Sequence, residues 1–474
     1  MAIEASRLAV GALALLPALL QAAEPGEREI ASTAAERTAI AVTIYNDDLA
    51  LVRERRQLEL PTGLNRLALR EVAALMKPET ALLQAVSGPP LTVIEQNFDF
   101  DLLTPQKLLD KYVGRRVTVI RPHPTLDSEK RESATVLATG NGGTVLRFAD
   151  RIETGVPGRL AFGEVPANLR ERPTLSVLLG GAGGQQEIEL TYLTAGLSWR
   201  ADYVALLDRQ GKTLDLSGWV TLNNRSGTEY RQARIQLVAG NVNRVAPRAA
   251  AETKAAAAVA PRALIWPREE AISDYHLYDF ERPSTIADNQ IKQLALLSAG
   301  RVPVVREYLL TGADYYYRER YGQIGQKLKP SVFIEFDNRG GELGRPLPAG
   351  IVRVYARDSQ GTAQFVGEDR IEHTAKNERL RLRLGEAFDI TADRTQTAFR
   401  RTGDRSAETS FRIELRNGKN EAVRVRVLEP LPGDWEISQE THKSKRESAR
   451  AASWLIDIPA EGRSVLEYTA QVRW

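Results

Sequence analysis

The C-terminal half of the chain places apolar residues at every second position. In "ERLRLRLG", Leu380, Leu382 and Leu384 alternate with Arg379, Arg381 and Arg383. In "SFRIELRNGKNEAVRVRVLEP", Phe411, Ile413 and Leu415 alternate with polar residues, and Val423, Val425 and Val427 do so again beyond Asn417-Gly418. Successive side chains of a strand point to opposite faces, so a period of two marks a strand with one buried and one wet face. Such strands belong to antiparallel sheets packed as sandwiches, not to helices or to doubly buried parallel sheets. The two strands around Asn417-Gly418 read as a hairpin, and residues 395–474 as one C-terminal sandwich of immunoglobulin-like size.

The same pattern runs upstream, so the fold class is mainly β: multi-domain antiparallel β-sandwiches, a small barrel-like insertion and few helices. A length of 474 residues corresponds to two to four domains at roughly 100–200 residues each. "AIAVTIYNDDLALVRERRQLELPTGLNRLAL" reads as three strands with turns at residues 46–48 and 61–63. These strands belong to an N-terminal β domain made of residues 39–97 and 171–195. The insertion, residues 98–170, opens on a helix. Thr104 is its N-cap, Pro105 its first residue and Gly114 its stop, and Leu108, Leu109 and Tyr112 lie on one side. Residues 196–394 form a central β domain. Within it, the alanine-rich segment 246–263 has no periodic apolar face and reads as a linker or loop insertion. The glycine cluster 180–184 lies between two strand patterns with no helix after it, which makes it a hairpin loop and not a phosphate loop.

At the N-terminus an apolar run from Leu8 to Leu20 is too short to span a bilayer. It leads to the small residues Ala22 and Ala23, the pattern of a cleavable export signal. The expectation is a signal peptide over 1–23, cleavage near Ala22–Ala23, an unstructured leader over 24–38 and a periplasmic or secreted protein without a transmembrane segment. The chain has no cysteine. That excludes a lipid anchor on a cysteine, disulfides, thiolate metal sites and cysteine nucleophiles. Sixty-four basic residues balance 61 acidic ones, so no concentrated basic surface points to nucleic acid. The four histidines, His123, His276, His373 and His442, stand apart without metal-ligand spacing, and neither a metal nor another cofactor is expected.

Two readings of function stand. One is a non-enzymatic binding or scaffold module whose partner is an envelope protein or a glycan. The other is a glycan-acting hydrolase using paired carboxylates, with Asp99 and Asp101 on one strand face, or Asp202, as candidates. The ligand-binding candidates are aromatic and acidic. "GLSWRADYVALL" supplies Trp199, Asp202 and Tyr203, and the strand that follows supplies Trp219. In "DYYYRERYG", Tyr315 and Tyr317 share one face if the segment is a strand. Strand phase places Trp199 and Tyr203 on an apolar face with Ala201, Ala205 and Leu207, so Trp199, like Trp219, also reads as a core anchor. Strands 198–207, 213–223 and 233–240 read as a meander.

"GLSWRADYVALL", "LDLSGWVTLNNRSGTEYRQARIQLVAG", "DNQIKQLALL", "FDNRGGELGRPLPAGIVRVYARDSQG", "VGEDRIEHT" and "LPGDWEI" together resemble the bacterial domain of unknown function 4139 family. Its named members are the mucoidy-inhibitor-A-like proteins. The resemblance extends over most of the chain and implies export to the cell envelope and a β-rich fold. It carries no acid, base or nucleophile onto any residue of this sequence. The heptad helical segment of mucoidy-inhibitor-type members has no counterpart here, so a function resting on that coiled coil is not carried over.

Overall fold

The computed structural model describes residues 29–122, 128–140, 143–155, 158–166, 169–240, 268–272 and 275–474. The expected export signal and the 246–263 insertion lie outside the described residues. By spatial contact the chain divides into two units. The first takes the described residues of Met1–Thr38, Arg55–Val72 and Leu82–Leu190; the second takes those of Ala39–Glu54, Ala73–Ala81 and Thr191–Trp474. The fold is mainly β, and among the described residues no sheet closes into a barrel.

In the first unit one sheet has the strand order Glu29–Ser32, Gly63–Arg70, Thr174–Gly181, Leu91–Asp99. Residues 29–38 are therefore not an unstructured leader. Glu29–Ser32 pairs in parallel with Gly63–Arg70, and Thr33 and Glu36 close a capping box around the short turn that follows. Arg56, buried in this unit, donates from Nη1 to the Ser32 carbonyl at 2.9 Å and from Nη2 to the Arg70 carbonyl at 2.8 Å. The segment was hard to see in the sequence because its anchor is a remote guanidinium and not an apolar face.

The 98–170 stretch forms an open five-stranded antiparallel sheet, ordered Ile152–Thr154, Val145–Arg147, Glu129–Ala138, Arg116–Pro122, Arg159–Ala161. Its outer strands do not meet, so it is barrel-like in size only. The helix Pro105–Lys111 starts as its sequence requires: Thr104 Oγ1 accepts from the Lys107 amide at 3.2 Å. Leu109 and Tyr112 then pack on Val117, Val119, Val136, Leu146 and Phe148. Residues 180–184 form the tight link between strands Thr174–Gly181 and Gly184–Thr194. A Cβ at Gly183 would lie 2.5 Å from the Thr62 amide nitrogen, so close packing of two turns explains that glycine.

The second unit holds a central sheet ordered Gln290–Pro303, Thr213–Asn224, Leu197–Leu207, Gly350–Arg357, Ala363–Ile371. Strands Leu197–Leu207 and Thr213–Asn224 pair antiparallel, but the expected meander ends there. The next strand, Tyr230–Ala239, leaves this sheet to pair with Tyr275–Ile286 and, in parallel, with Ala41 to Tyr45. Leu197–Leu207 takes a parallel neighbour in Gly350–Arg357 instead.

The C-terminal sandwich draws on strands from Val305 onward, and the strand Ile390–Gly403 runs through residue 395. One of its sheets runs Arg379–Glu386, Ser331–Asp337, Val305–Thr311, Val423–Pro430, Ala451–Ile458, Lys445–Ser448. The other runs Gln323–Leu328, Ile390–Gly403, Ser406–Asn417, Arg463–Arg473, Asp434–Glu440. Phe411, Ile413 and Leu415 do face Val423, Val425 and Val427 in one core. They come from opposite sheets, however, and are not a hydrogen-bonded hairpin. Both arrangements bury alternate residues, so periodicity alone does not separate them.

Candidate functional site

The densest run of polar and aromatic residues, around strand Leu197–Leu207, divides between two faces of the central sheet. Trp199 is 4 % exposed and its indole N–H donates to the Val238 carbonyl at 3.2 Å. Tyr203 is sealed, donates to the Pro348 carbonyl at 2.8 Å, and has its phenol pushed far up by burial. Its ring occupies space that two cross-strand glycines leave open. A Cβ at Gly218 would lie 3.2 Å from the ring, and one at Gly350 would lie 3.0 Å from it. Trp199 and Tyr203 are thus buried and tied to backbone carbonyls, as framework residues are.

Much of the remaining polar chemistry holds turns. Three buried asparagines, Asn224, Asn338 and Asn417, end or follow a strand in the same way. Each Nδ2 donates to at least two backbone carbonyls: Thr228 and Ala287 with a longer contact to Ile286, Arg345 and Ala375, Glu421 and Pro459. Each Oδ1 accepts an amide, from Ser226, Gly344 and Lys419 respectively, at 3.0 Å. Buried backbone groups need partners, and here the asparagine supplies them.

The outward face of the same sheet is different. Asp202, buried, accepts from Arg200 Nε at 3.2 Å, Arg353 Nη1 at 3.1 Å and Thr221 Oγ1 at 2.8 Å. Gln293 Nε2 continues the row to Thr221 Oγ1 at 3.3 Å. Trp219 stands opposite Asp202 in the strand register and is half-buried on this face, which corrects its expected place in the core. Its indole N–H has no acceptor among the described residues. Farther along, Tyr355 and Phe365 pair edge to face with centroids 5.7 Å apart, and Phe365 is 57 % exposed. The face thus combines a fixed hydrogen-bonding row with aromatic surface.

The family model "Domain of unknown function (DUF4139)" matches residues 188–474, a span that contains this whole sheet and the C-terminal sandwich. The chain belongs to the DUF4139 family. No curated protein matches it.

The other aromatic candidates of the DUF4139 region do not form a platform. Residues 314–317 are a 3-10 turn and not a strand, so positions two apart diverge. Tyr315 is 51 % exposed and meets Tyr316 and Tyr321 edge to face, while Tyr317 is sealed in the sandwich core. That core hides residues that the sequence reading passed over. Arg394 and Glu429 are each 1 % exposed, with Nη2 2.7 Å from Oε1. Tyr317 Oη donates to Glu429 Oε2 at 3.2 Å and shares a 2.8 Å hydrogen bond with Tyr468 Oη. Burial pushes the Glu429 carboxyl above the ordinary glutamate range although Arg394 and the tyrosine hydroxyls pull it down. A Cβ at Gly312 would fall 1.9 Å from Glu429 Oε2, so no space remains for a substrate. The signal was phase. Ile390, Ala392, Arg394 and Gln396 alternate inward on one strand, as Val423, Val425, Val427 and Glu429 do on another.

Outside the DUF4139 region, the paired-carboxylate candidates lie in the first unit and are already neutralised. Asp99 Oδ2 accepts from Arg170 Nε at 3.0 Å. Asp101 lies beyond the strand that ends at Asp99, 2.8 Å from Lys107 Nζ and 3.1 Å from Lys111 Nζ, and both lysines hold its carboxyl below the usual range. Asp101, held ionised by these lysines, is not poised to donate a proton near neutrality. Among the described residues no three His, Cys, Asp or Glu side chains group as a metal site requires, and no helix is long and apolar enough to cross a membrane.

Proposed function

We propose that this protein is a non-enzymatic binding module of the cell envelope and that the outward face of its central sheet engages a hydroxyl-rich ligand, a glycan. The observation that carries the reading is Trp219, a half-buried indole with a free N–H beside the fixed row Asp202, Thr221 and Gln293. Sugars stack their C–H faces on aromatic rings and hydrogen-bond at their edges, which such a surface provides. The candidate carboxylates favour binding over hydrolysis, because each is already held by cations. The test is co-sedimentation of the full chain with insoluble cell-wall glycan, comparing wild type with Trp219→Ala. Loss of one stacking contact is worth roughly 0.5–1.5 kcal/mol, so binding should weaken about two- to tenfold while the melting temperature changes little. Equal binding by the variant, or release of soluble sugar fragments by the wild type, would sink the reading.

We also propose export, on the apolar run Leu8 to Leu20 and the small residues after it. N-terminal sequencing of protein taken from its native cell should start near Ala23 or Glu24, and an intact Met1 would refute it.

A further inference from the structure

The three asparagine-pinned turns differ in what their amides meet. In the Asn224 turn, the amides of Arg225, Ser226 and Gly227 donate to the Gly196 carbonyl, Asn224 Oδ1 and Asp288 Oδ1. In the Asn417 turn, those of Gly418 and Lys419 donate to the Asp389 carbonyl and Asn417 Oδ1. In the Asn338 turn, Arg339 donates to the Asp337 carbonyl and Gly344 to Asn338 Oδ1. The intervening amides of Gly340, Gly341 and Glu342 have no protein acceptor among the described residues. Gly340 and Gly341 are both in the left-handed region, at φ 72° and 55°.

This turn walls a cleft of about 660 Å³ whose other side is the end of strand Gln290–Pro303. Arg301 projects from that side. It holds φ 52°, a conformation uncommon for a residue with a Cβ, and its amide is tied to Asp215 Oδ1 at 2.9 Å. Backbone strain of this kind persists where the surroundings over-determine it, and it collects at binding sites. The guanidiniums of Arg301 and Arg339 form no ion pair or hydrogen bond among the described residues. Of the two acids that line the cleft, Asp337 is engaged by Arg379 at 3.0 Å and Glu342 is unpaired.

We propose that this cleft binds an oxyanion, the phosphate or carboxylate group of a small polar ligand. Arg301 and Arg339 supply charge, and the amides of Gly340, Gly341 and Glu342 supply directed donors. Successive free amides in a turn and planar guanidiniums are the two devices that recognise such groups. Glu342 opposes a bare anion. It therefore favours a ligand that carries a cationic group beside the oxyanion.

The test uses the full chain in low-salt buffer, titrated calorimetrically with inorganic phosphate and separately with citrate, so that the two arms separate the phosphate from the carboxylate source. Saturable binding at one site per chain is expected for at least one probe. Arg339→Gln should weaken it about tenfold, since each hydrogen bond to a charged group contributes that order of affinity. Glu342→Gln should tighten it several-fold by removing the like charge, a gain that damage to the fold would not produce. Failure of both probes to saturate at about 10 mM, well above the roughly millimolar dissociation constant of a weak specific site, would overturn the proposal. So would affinity left unchanged by both substitutions.

Discussion

Arg394→Met should cost the C-terminal sandwich about 3–5 kcal/mol, because it strands the Glu429 carboxylate in a core that offers it no cation. That is a large part of the roughly 5–15 kcal/mol by which a domain stays folded. Urea titration followed by tryptophan fluorescence would measure it. The effect should depend on pH with a definite sign. The Glu429 carboxyl is already raised in the folded protein, so the folded state holds this proton more tightly than the unfolded chain. Its contribution is present below the ordinary glutamate value of 4.5 and is lost as pH rises through the folded value. Removing Arg394 moves the folded value further up. The variant should therefore be most handicapped at neutral pH and recover as the pH falls toward the ordinary glutamate value of 4.5, because the buried carboxyl takes up its proton on the way. Converting both partners, Arg394→Met with Glu429→Leu, should restore much of the loss, since buried pairs are often replaceable by apolar residues of similar volume. A single variant as stable as wild type at pH 7 would refute this account of the core.

Trp199→Ala should cost about 3–5 kcal/mol for the loss of a large buried aromatic. It also removes the hydrogen bond that ties Trp199 to the Val238 carbonyl and the edge-to-face contact with Tyr278. The contrast is Asp202→Asn. Its partners Arg200 and Arg353 have side chains 50 % and 30 % exposed, so water can replace part of what the carboxylate gave them. A loss of about 1 kcal/mol is expected, nearer an exposed ion pair than a buried one. Thermal melts of both variants decide the matter without knowledge of any ligand. A stable Trp199→Ala protein would return Trp199 to the list of binding residues.

The alternation that defines most of the strands was legible, Glu29–Ser32 apart, and so was the helix at Pro105, because each depends on residues adjacent in sequence. Sheet membership was not. Phe411 and Val425 carry the same in-out pattern whether their strands pair in one sheet or face each other across a core, and only remote partners separate the two. Trp219 was misplaced for a related reason: an aromatic ring suits a core, but its register opposite Asp202 sets it on the polar face. Tyr315 and Tyr317 failed on period, since a 3-10 turn and a strand are alike over three residues rich in tyrosine. Arg394 and Glu429 were readable in principle, as charged residues in the inward phase of two apolar strands. The cleft at Arg301 was not, because its two walls lie far apart along the chain.

The parallel pairing of Leu197–Leu207 with Gly350–Arg357 sets how late in synthesis this part of the sheet can be completed. When the ribosome has released strands Leu197–Leu207 and Thr213–Asn224, both edges of the pair still lack their neighbours, and the one beside Leu197–Leu207 waits longer, for Gly350–Arg357. The carbonyl that accepts the Tyr203 hydroxyl, that of Pro348, has not yet been made. The same holds for Val305–Thr311, whose parallel partner Val423–Pro430 comes later still. Contacts of such long sequence separation form slowly, and an open strand edge with an apolar face can be taken by another chain. A nascent chain that stalls ahead of Gly350 is thus exposed to misassembly over an interval set by elongation, until the Gly350–Arg357 strand arrives to close the edge.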